Sequence, residues 1–128
     1  MAVGLSVANI ANPNLDWLRG VAPGTIAGLF IKMHTGDPGA SGTTAPSAVT
    51  TRRQATMNAA SGGQITLASM SGNYPMTASE IISHFSVWDA ATGGNFLFSG
   101  AWTAARTVVN GDTLVVQSFV VANTPLAA

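Results

Sequence analysis

The chain has 128 residues, of which 47% are hydrophobic and only 8% are charged, far below the about 25% of a typical soluble domain. Its five basic and five acidic residues cancel, which leaves no electrostatic basis for binding nucleic acid or an anionic membrane, and no apolar run approaches the roughly 18 residues of a membrane span. Without cysteine there are neither disulfides nor thiolate metal sites, so we expect one packed domain without a cofactor. Because its surface is weakly charged, we expect neighbouring subunits to cover it.

The first 24 residues are predicted to form an N-terminal arm and one short helix. Asn12 is suited to cap this helix, Pro13 to occupy its first position and Gly20 to end it. Leu15 and Leu18 are spaced to share one face, so we expect the helix to plug one end of a sheet core. Residues 1–8, at the start of the arm, are apolar and uncharged, which favours contact with a neighbouring subunit over exposure to water.

Residues 25–121 carry the pattern of an antiparallel β-sandwich, with short apolar runs separated by Gly, Pro, Asn and Asp. Three hairpins are expected, each with a glycine-containing turn. A polar loop after the first strand is expected to lie over a surface without packing a core, and the last residues form an uncharged C-terminal tail. The seven or eight predicted strands lie at residues 26–34, 52–59, 64–70, 80–89, 96–102, 104–109 and 113–121, the turns at 61–63, 90–94 and 110–112, the loop at 40–51 and the tail at 122–128.

Few residues are available for catalysis. Ser83, His84 and Asp89 are close enough in sequence to suggest a Ser-His-Asp set. However, neighbours on a strand point to opposite faces, and no Gly-x-Ser-x-Gly turn is present to expose a serine. We therefore expect no enzymatic activity. We expect His34 and His84 each to satisfy a backbone group at a strand edge.

Asp37 lies in the turn Thr-Gly-Asp-Pro-Gly, where a carboxylate can either bind calcium or cap the turn. Calcium takes about six to eight oxygen ligands, and this turn supplies one carboxylate. The side chain can instead accept a hydrogen bond from the nearby backbone. We therefore expect a turn cap and no metal site.

The candidate interface residues are apolar, aromatic or positively charged side chains that a neighbouring subunit would cover. Tryptophan brings a large apolar area and one donor that needs a partner, which suits a core or an interface. Arg52 and Arg53 are adjacent, so on a strand one faces in and one out, and a salt bridge to a neighbouring subunit is expected. The candidates are Val3, Leu5, Val7, Trp17, Arg52, Trp102, Pro125 and Leu126.

Four stretches, at residues 14–20, 29–39, 59–63 and 84–100, together resemble small virion proteins of tailed phages that infect actinobacteria. The resemblance covers nearly the whole chain in the same order, and the last stretch, HFSVWDAATGGNFLFSG, is its most specific part. It implies a structural role in the capsid or the tail and brings no catalytic residues. The chain departs from the family at residues 70–77 and lacks the stalk or receptor-binding extension of a long fibre, which favours a decoration or minor capsid protein.

The leading functional hypothesis is a capsid-decorating protein that forms a small homo-oligomer, a dimer or a trimer, and cements the major capsid protein shell. It would act by contact area, since burial of apolar surface contributes about 25 cal/mol per Å². The first alternative is a minor tail or fibre-associated protein that meets the host surface through residues 40–51. The second is a carbohydrate-binding module that uses Trp88 or Trp102. Either virion role places the protein in the particle, after assembly in the host cytoplasm.

Overall fold

The computed structural model describes residues 3–123, and its main element is an antiparallel sheet of seven strands. The sheet order is β1, β7, β6, β2, β3, β4, β9, and β5 pairs separately with β8. This arrangement confirms the predicted sandwich-like all-β fold with one short N-terminal helix. The elements in chain order are β1 (Gly4–Leu5), a π-helix (Val7–Ala11), α1 (Asn12–Leu18), β2 (Leu29–His34), β3 (Arg53–Met57), β4 (Gln64–Met70), β5 (Tyr74–Pro75), β6 (Glu80–Trp88), β7 (Phe96–Val108), β8 (Thr113–Leu114) and β9 (Val120–Ala122).

One face of the central strands carries the core. Ile31 and Met33 of β2 are almost completely buried and lie opposite Val87 and Phe85 of β6. Because side chains alternate along a strand, these four lie on the same face of the sheet. Each of the two core clusters draws on strands that are distant in sequence, so the core is complete only when the whole sheet has assembled. The first cluster is Ile31, Ala55, Phe85, Val87, Leu97 and Phe119, and the second is Met33, Val49, Tyr74, Met76, Ile82 and Val108.

The opposite face of β2 and β6 is polar, yet it is also covered. His34 lies opposite His84, and both His34 and Ser86 are completely buried. The loop that follows β2 closes over this face, since Nδ1 of His34 lies 2.8 Å from the Thr44 carbonyl oxygen. The sheet is therefore buried on both sides at its centre.

The prediction that this loop packs no core is wrong. Val49 joins the second core cluster, and Ser47 is almost completely buried. The Ser47 hydroxyl donates a hydrogen bond to the carboxylate of Glu80 at the start of β6. A few buried residues therefore anchor the loop to the sheet, although most of residues 40–51 are exposed.

Two of the three predicted hairpins are confirmed. β3 and β4 are joined by a turn in which Gly62 and Gly63 have φ angles of 62° and 79°, the positive values that a tight hairpin turn requires. β6 and β7 are joined by a turn that Asp89 closes. Its carboxylate accepts hydrogen bonds from the backbone and side-chain amides of Asn95 at 2.7 and 3.0 Å.

The third predicted hairpin is wrong. β7 runs without interruption to Val108, and after the turn at residues 110–112 the chain pairs with β5 instead of returning along β7. Met76 holds this turn, because its N–H donates to the Asp112 carbonyl at 2.7 Å and its carbonyl accepts from the Gly111 N–H at 3.0 Å. Since Met76 is buried in the second core cluster, tertiary packing sets the direction of the chain here.

The first predicted strand begins three residues later than expected. Ile26 lies outside β2 and is exposed, whereas the strand starts at Leu29. Pairing with β3 begins at Leu29 and pairing with β6 at Phe30, so the preceding residues have no partner strand that would hold them extended.

Candidate functional site

The most distinctive surface feature is the apolar N-terminal segment (residues 3–26). Most of the large hydrophobic side chains that are exposed among the described residues lie in this short stretch. Exposed apolar patches of this kind mark contact sites, since monomeric proteins rarely leave large ones open to water. The exposed side chains of the segment are Val3, Leu5, Val7, Leu15, Trp17, Leu18, Val21 and Ile26, and those elsewhere are Ile81, Val109, Val115 and Val120.

The first half of the N-terminal segment is tied to the sheet. β1 pairs with the beginning of β7, and the Ser6 N–H donates to the Leu97 carbonyl oxygen at 2.7 Å. The side-chain amide of Asn9 donates to the Phe96 carbonyl oxygen at 2.8 Å. The predicted arm therefore contributes a short edge strand and holds the rest of the segment in a defined place.

Ser6 begins the helical region. Its hydroxyl accepts a hydrogen bond from the Asn9 N–H at 3.3 Å, and the π-helix that follows continues directly into α1. Asn12 already has helical backbone angles, so the prediction that it caps the helix is wrong. The predicted end of the helix at Gly20 is confirmed, because Gly20 has a φ of 96°, the conformation in which glycine commonly terminates a helix.

α1 presents its apolar side chains to solvent. Leu15, Trp17 and Leu18 are 62%, 64% and 78% exposed, so the expectation that this helix plugs the core is wrong. The sequence contained a signal for this outcome. Leu15 and Leu18 share a face, but Trp17 is two positions from Leu15 and points away from it, so no single packed face could bury all three. The charges of Asp16 and Arg19 neutralise each other in an ion pair of 2.8 Å, which leaves this end of the segment mainly apolar. No helix among residues 3–123 is long and apolar enough to cross a membrane.

Arg52, another interface candidate, is engaged within the chain. Its Nη1 donates to the carbonyl oxygens of Ala90 and Gly93 at 2.9 and 2.6 Å. Its guanidinium carbon lies 4.1 Å from the centre of the Trp88 ring, in a cation–π arrangement. These contacts fix the turn between β6 and β7. The expected salt bridge to a neighbouring subunit stays a prediction.

Trp88 and Trp102 are packed into the fold. Trp88 is buried and its ring centre lies 5.6 Å from that of Phe96, so its face is not available for stacking on a sugar. Trp102 is partly buried, with its ring centre 4.5 Å from that of Phe85. The two remaining interface candidates, Pro125 and Leu126, lie outside the described residues.

The suggested Ser-His-Asp set does not come together. The Ser83 hydroxyl lies 2.7 Å from Nδ1 of His84, which corrects the expectation that the two side chains diverge. The register of β6 against β7 shifts between Ile82 and His84, with the extra residues on β7 opposite Ser83. Asp89 has other partners, and hydrogen bonds from Asn95 hold the pKa of its carboxyl below the usual value. In a catalytic triad the acid orients the histidine, whereas here the acid closes a turn.

His34 is a buried core histidine and not an edge residue. β2 is the middle strand of the seven, which makes the expected edge position wrong. Nδ1 of His34 contacts the Thr44 backbone as expected, and Nε2 lies 2.7 Å from the Ser86 hydroxyl. Burial lowers the pKa of His34, since the charged form would lose its hydration.

Asp37 behaves as the sequence predicted. Its carboxylate accepts a hydrogen bond from the Gly39 N–H at 2.8 Å, which closes the turn after β2. Within the part of the chain that the structure describes, no three His, Asp or Glu side chains gather into a group that could hold a metal ion.

Comparison with known families places residues 6–122 in the family described as Podophage GP4 fiber I protein gp80. The matched region includes most of the N-terminal segment and all strands from β2 to β9. Comparison with curated proteins found no match. The actinobacterial host and the capsid location, both implied by the earlier resemblance, stay predictions. Because the family match covers nearly the whole chain, this protein belongs to the podophage fiber I protein family and is a phage structural protein.

Proposed function

We propose that this protein is a subunit of the podophage fibre and that it joins its neighbours through the N-terminal segment. The observation that carries the proposal is the concentration of exposed apolar side chains in that segment. Its first half is hydrogen-bonded to β7, so the apolar surface of α1 is already held in place before contact. A preorganised surface loses less conformational freedom on binding, which leaves more of the burial free energy for affinity.

The proposed role is mechanical and not catalytic. Apolar burial contributes about 25 cal/mol per Å², so a modest footprint gives a stable contact when it is repeated along an assembly. The near-absence of net charge favours association of copies of the chain with each other, and we expect a dimer or a trimer. Light scattering coupled to size-exclusion chromatography would measure that state, and a monomer at micromolar concentration would contradict it.

The competing location is the capsid, where the low charge and the apolar ends would suit a protein that cements the major capsid protein shell. The two locations differ in which purified part of the particle holds the protein. We expect mass spectrometry of separated heads and tails, together with immunogold labelling of intact virions, to find it in the tail fibres. Detection in heads with none in tails would reject the fibre location and support decoration.

A further inference from the structure

A cavity of about 410 Å³ lies beside the turn between β6 and β7. Its walls come from Lys32 of β2, from residues 50–52 that lead into β3, and from residues 91–93 of the turn. None of residues 3–26 lines it, so it is separate from the N-terminal segment. Two cations and three threonines line the cavity, and no acidic side chain among residues 3–123 does. Its walls are therefore positively charged and rich in hydrogen-bond donors.

Lys32 is the only lysine of the chain, and it lies on the middle strand of the sheet. Because side chains alternate along β2, it projects from the polar face, between the core positions Ile31 and Met33. It is partly buried, yet it forms no hydrogen bond or ion pair with residues 3–123. Burial lowers the pKa of Lys32, and the charge of Arg52 lowers it further. The described chain therefore holds a partly desolvated ammonium group beside a second cation.

Arg52 is fixed in the wall of the same cavity. Its Nη1 donates to the carbonyl oxygens of Ala90 and Gly93, and its guanidinium lies over the Trp88 ring. A guanidinium carries five N–H donors in one plane, and those on Nε and Nη2 have no acceptor among residues 3–123. The charge of Asp89 acts on Arg52, but Asp89 does not line the cavity. Arg52 is thus oriented in advance and keeps donors for a ligand.

Three threonine hydroxyls add to these donors. Those of Thr50, Thr51 and Thr92 are exposed and have no hydrogen-bond partner within the described part of the chain. A hydroxyl can rotate to donate, so each can turn towards an anion. Lys32 and Arg52 repel each other across the cavity, and an anion between them would offset this repulsion.

We propose that this cavity binds one phosphate group. A phosphate monoester carries about two negative charges at neutral pH and offers three strong acceptor oxygens. Its charge matches the two cations, Lys32 and Arg52, and its oxygens match the guanidinium, ammonium and hydroxyl donors around them. A carboxylate carries one charge and two oxygens, so it would leave part of this set unused. The phosphate can arrive as a free ion or as an ester on a larger molecule, since both present the same group.

The test is a titration of protein labelled with ¹³C in lysine. Because the chain has one lysine, its Cε gives a single resonance that needs no assignment. At pH 7.5 and constant ionic strength, we expect this resonance to shift saturably with inorganic phosphate and to respond at least tenfold more weakly to acetate. A bound anion stabilises the ammonium form, so phosphate should also raise the pKa of Lys32.

Glycerol 3-phosphate distinguishes the two sources of the group. Binding as tight as that of inorganic phosphate would show that the site accepts an ester on a larger molecule. Binding of inorganic phosphate alone would assign the site to the free ion.

Two variants separate site binding from general attraction of an anion, with calorimetry as the readout. Lys32→Gln should weaken phosphate binding at least tenfold, whereas Arg106→Gln, which removes an equal charge from an exposed residue outside this cavity, should leave it unchanged. Circular dichroism checks that both variants fold, and the titration of the unmodified chain stands by itself if Lys32→Gln does not.

Three outcomes would overturn the proposal. They are an unmoved lysine resonance, equal affinities in the two variants, and an equal response to acetate, which would fit a carboxylate of a neighbouring subunit instead. The titration uses the isolated protein and a cavity away from the N-terminal segment, so its outcome is independent of how the protein joins its neighbours in the virion.

Discussion

His34 Nε2 lies 2.7 Å from the hydroxyl oxygen of Ser86 in the buried centre of the sheet. The same hydroxyl accepts a hydrogen bond from Nε1 of Trp88 at 2.8 Å, so its own proton is directed to the histidine. Nδ1 of His34 then carries the ring proton and donates to the Thr44 carbonyl oxygen. The arrangement satisfies all these groups only while His34 is neutral.

Stability should therefore fall on mild acidification. Burial lowers the pKa of His34, and the nearby charges of Lys32 and His84 lower it further. As the pH falls, this histidine is therefore protonated in the unfolded chain before it is protonated in the folded chain. The stability that neutral His34 contributes is fully present above the usual histidine pKa of about 6.5. It is lost as the pH falls from there towards the lowered pKa of His34 in the folded protein. Urea unfolding between pH 5 and 7.5 would measure it. Asp89, with its lowered pKa, stays ionised in this window.

Substitution of His34 identifies the source of this pH dependence. His34→Gln should flatten the slope of the free energy of unfolding against pH and cost about 1–3 kcal/mol at pH 7.5, because buried hydrogen bonds are lost. His84→Gln is the matched control and should leave most of the slope in place. An unchanged slope in His34→Gln would assign the effect to other groups.

Gly42→Ala should be strongly destabilising. Gly42 has a φ of 74°, and an added Cβ would collide with the ring of Phe96. The left-handed backbone costs a residue other than glycine about 1–2 kcal/mol, and overpacking adds about 1–3 kcal/mol. Gly62→Ala is the control, since Gly62 has a φ of 62° but open space around its Cβ position. Chemical denaturation should show the larger loss for Gly42→Ala, and equal losses would mean that Phe96 moves aside freely.

Trp17→Ser should weaken assembly without affecting the fold. Trp17 is exposed, so the free energy of unfolding should change by less than about 0.5 kcal/mol. Loss of a tryptophan anchor from an interface costs about 2 kcal/mol or more, which would reduce incorporation into particles. Complementation of a phage that lacks the protein, followed by quantification in purified virions, measures this effect. Ile81→Ser, on β6 and similarly exposed, should be incorporated normally, and equal losses for both variants would argue against the N-terminal segment as the contact.

Deletion of residues 1–8 should leave a folded, β-rich protein that binds its particle more weakly. The cut removes β1 and the Ser6 hydrogen bond to Leu97, but both core clusters and the remaining strands lie downstream. Circular dichroism and particle-binding assays test the two parts separately. Ser6→Ala keeps the apolar side chains and loses only the helix cap, so its binding should be preserved. Loss of the β signal after deletion would show that the arm belongs to the core. Unchanged binding to the particle would show that the arm lies outside the interface.

Local patterns in the sequence were sufficient for the all-β class, for two hairpins and for the end of the first helix. Gly62, Gly63 and Gly20 determine backbone conformation at their own positions, and alternation over a few residues decides which side chains of a strand can share a face. These effects act within a few residues of one another, so they can be predicted without knowledge of distant contacts.

Tertiary structure alone decided the features that depend on partners far away in the chain. Burial of Met76 directs β8 to β5. The position of β2 in the sheet places His34 against Ser86. The bulge opposite Ser83 puts Trp102 and Arg106 around one cavity. The spacing of Leu15 and Leu18 predicts that the two side chains share a face. Whether that face is buried depends on the free energy of packing against elements that lie far away in the sequence.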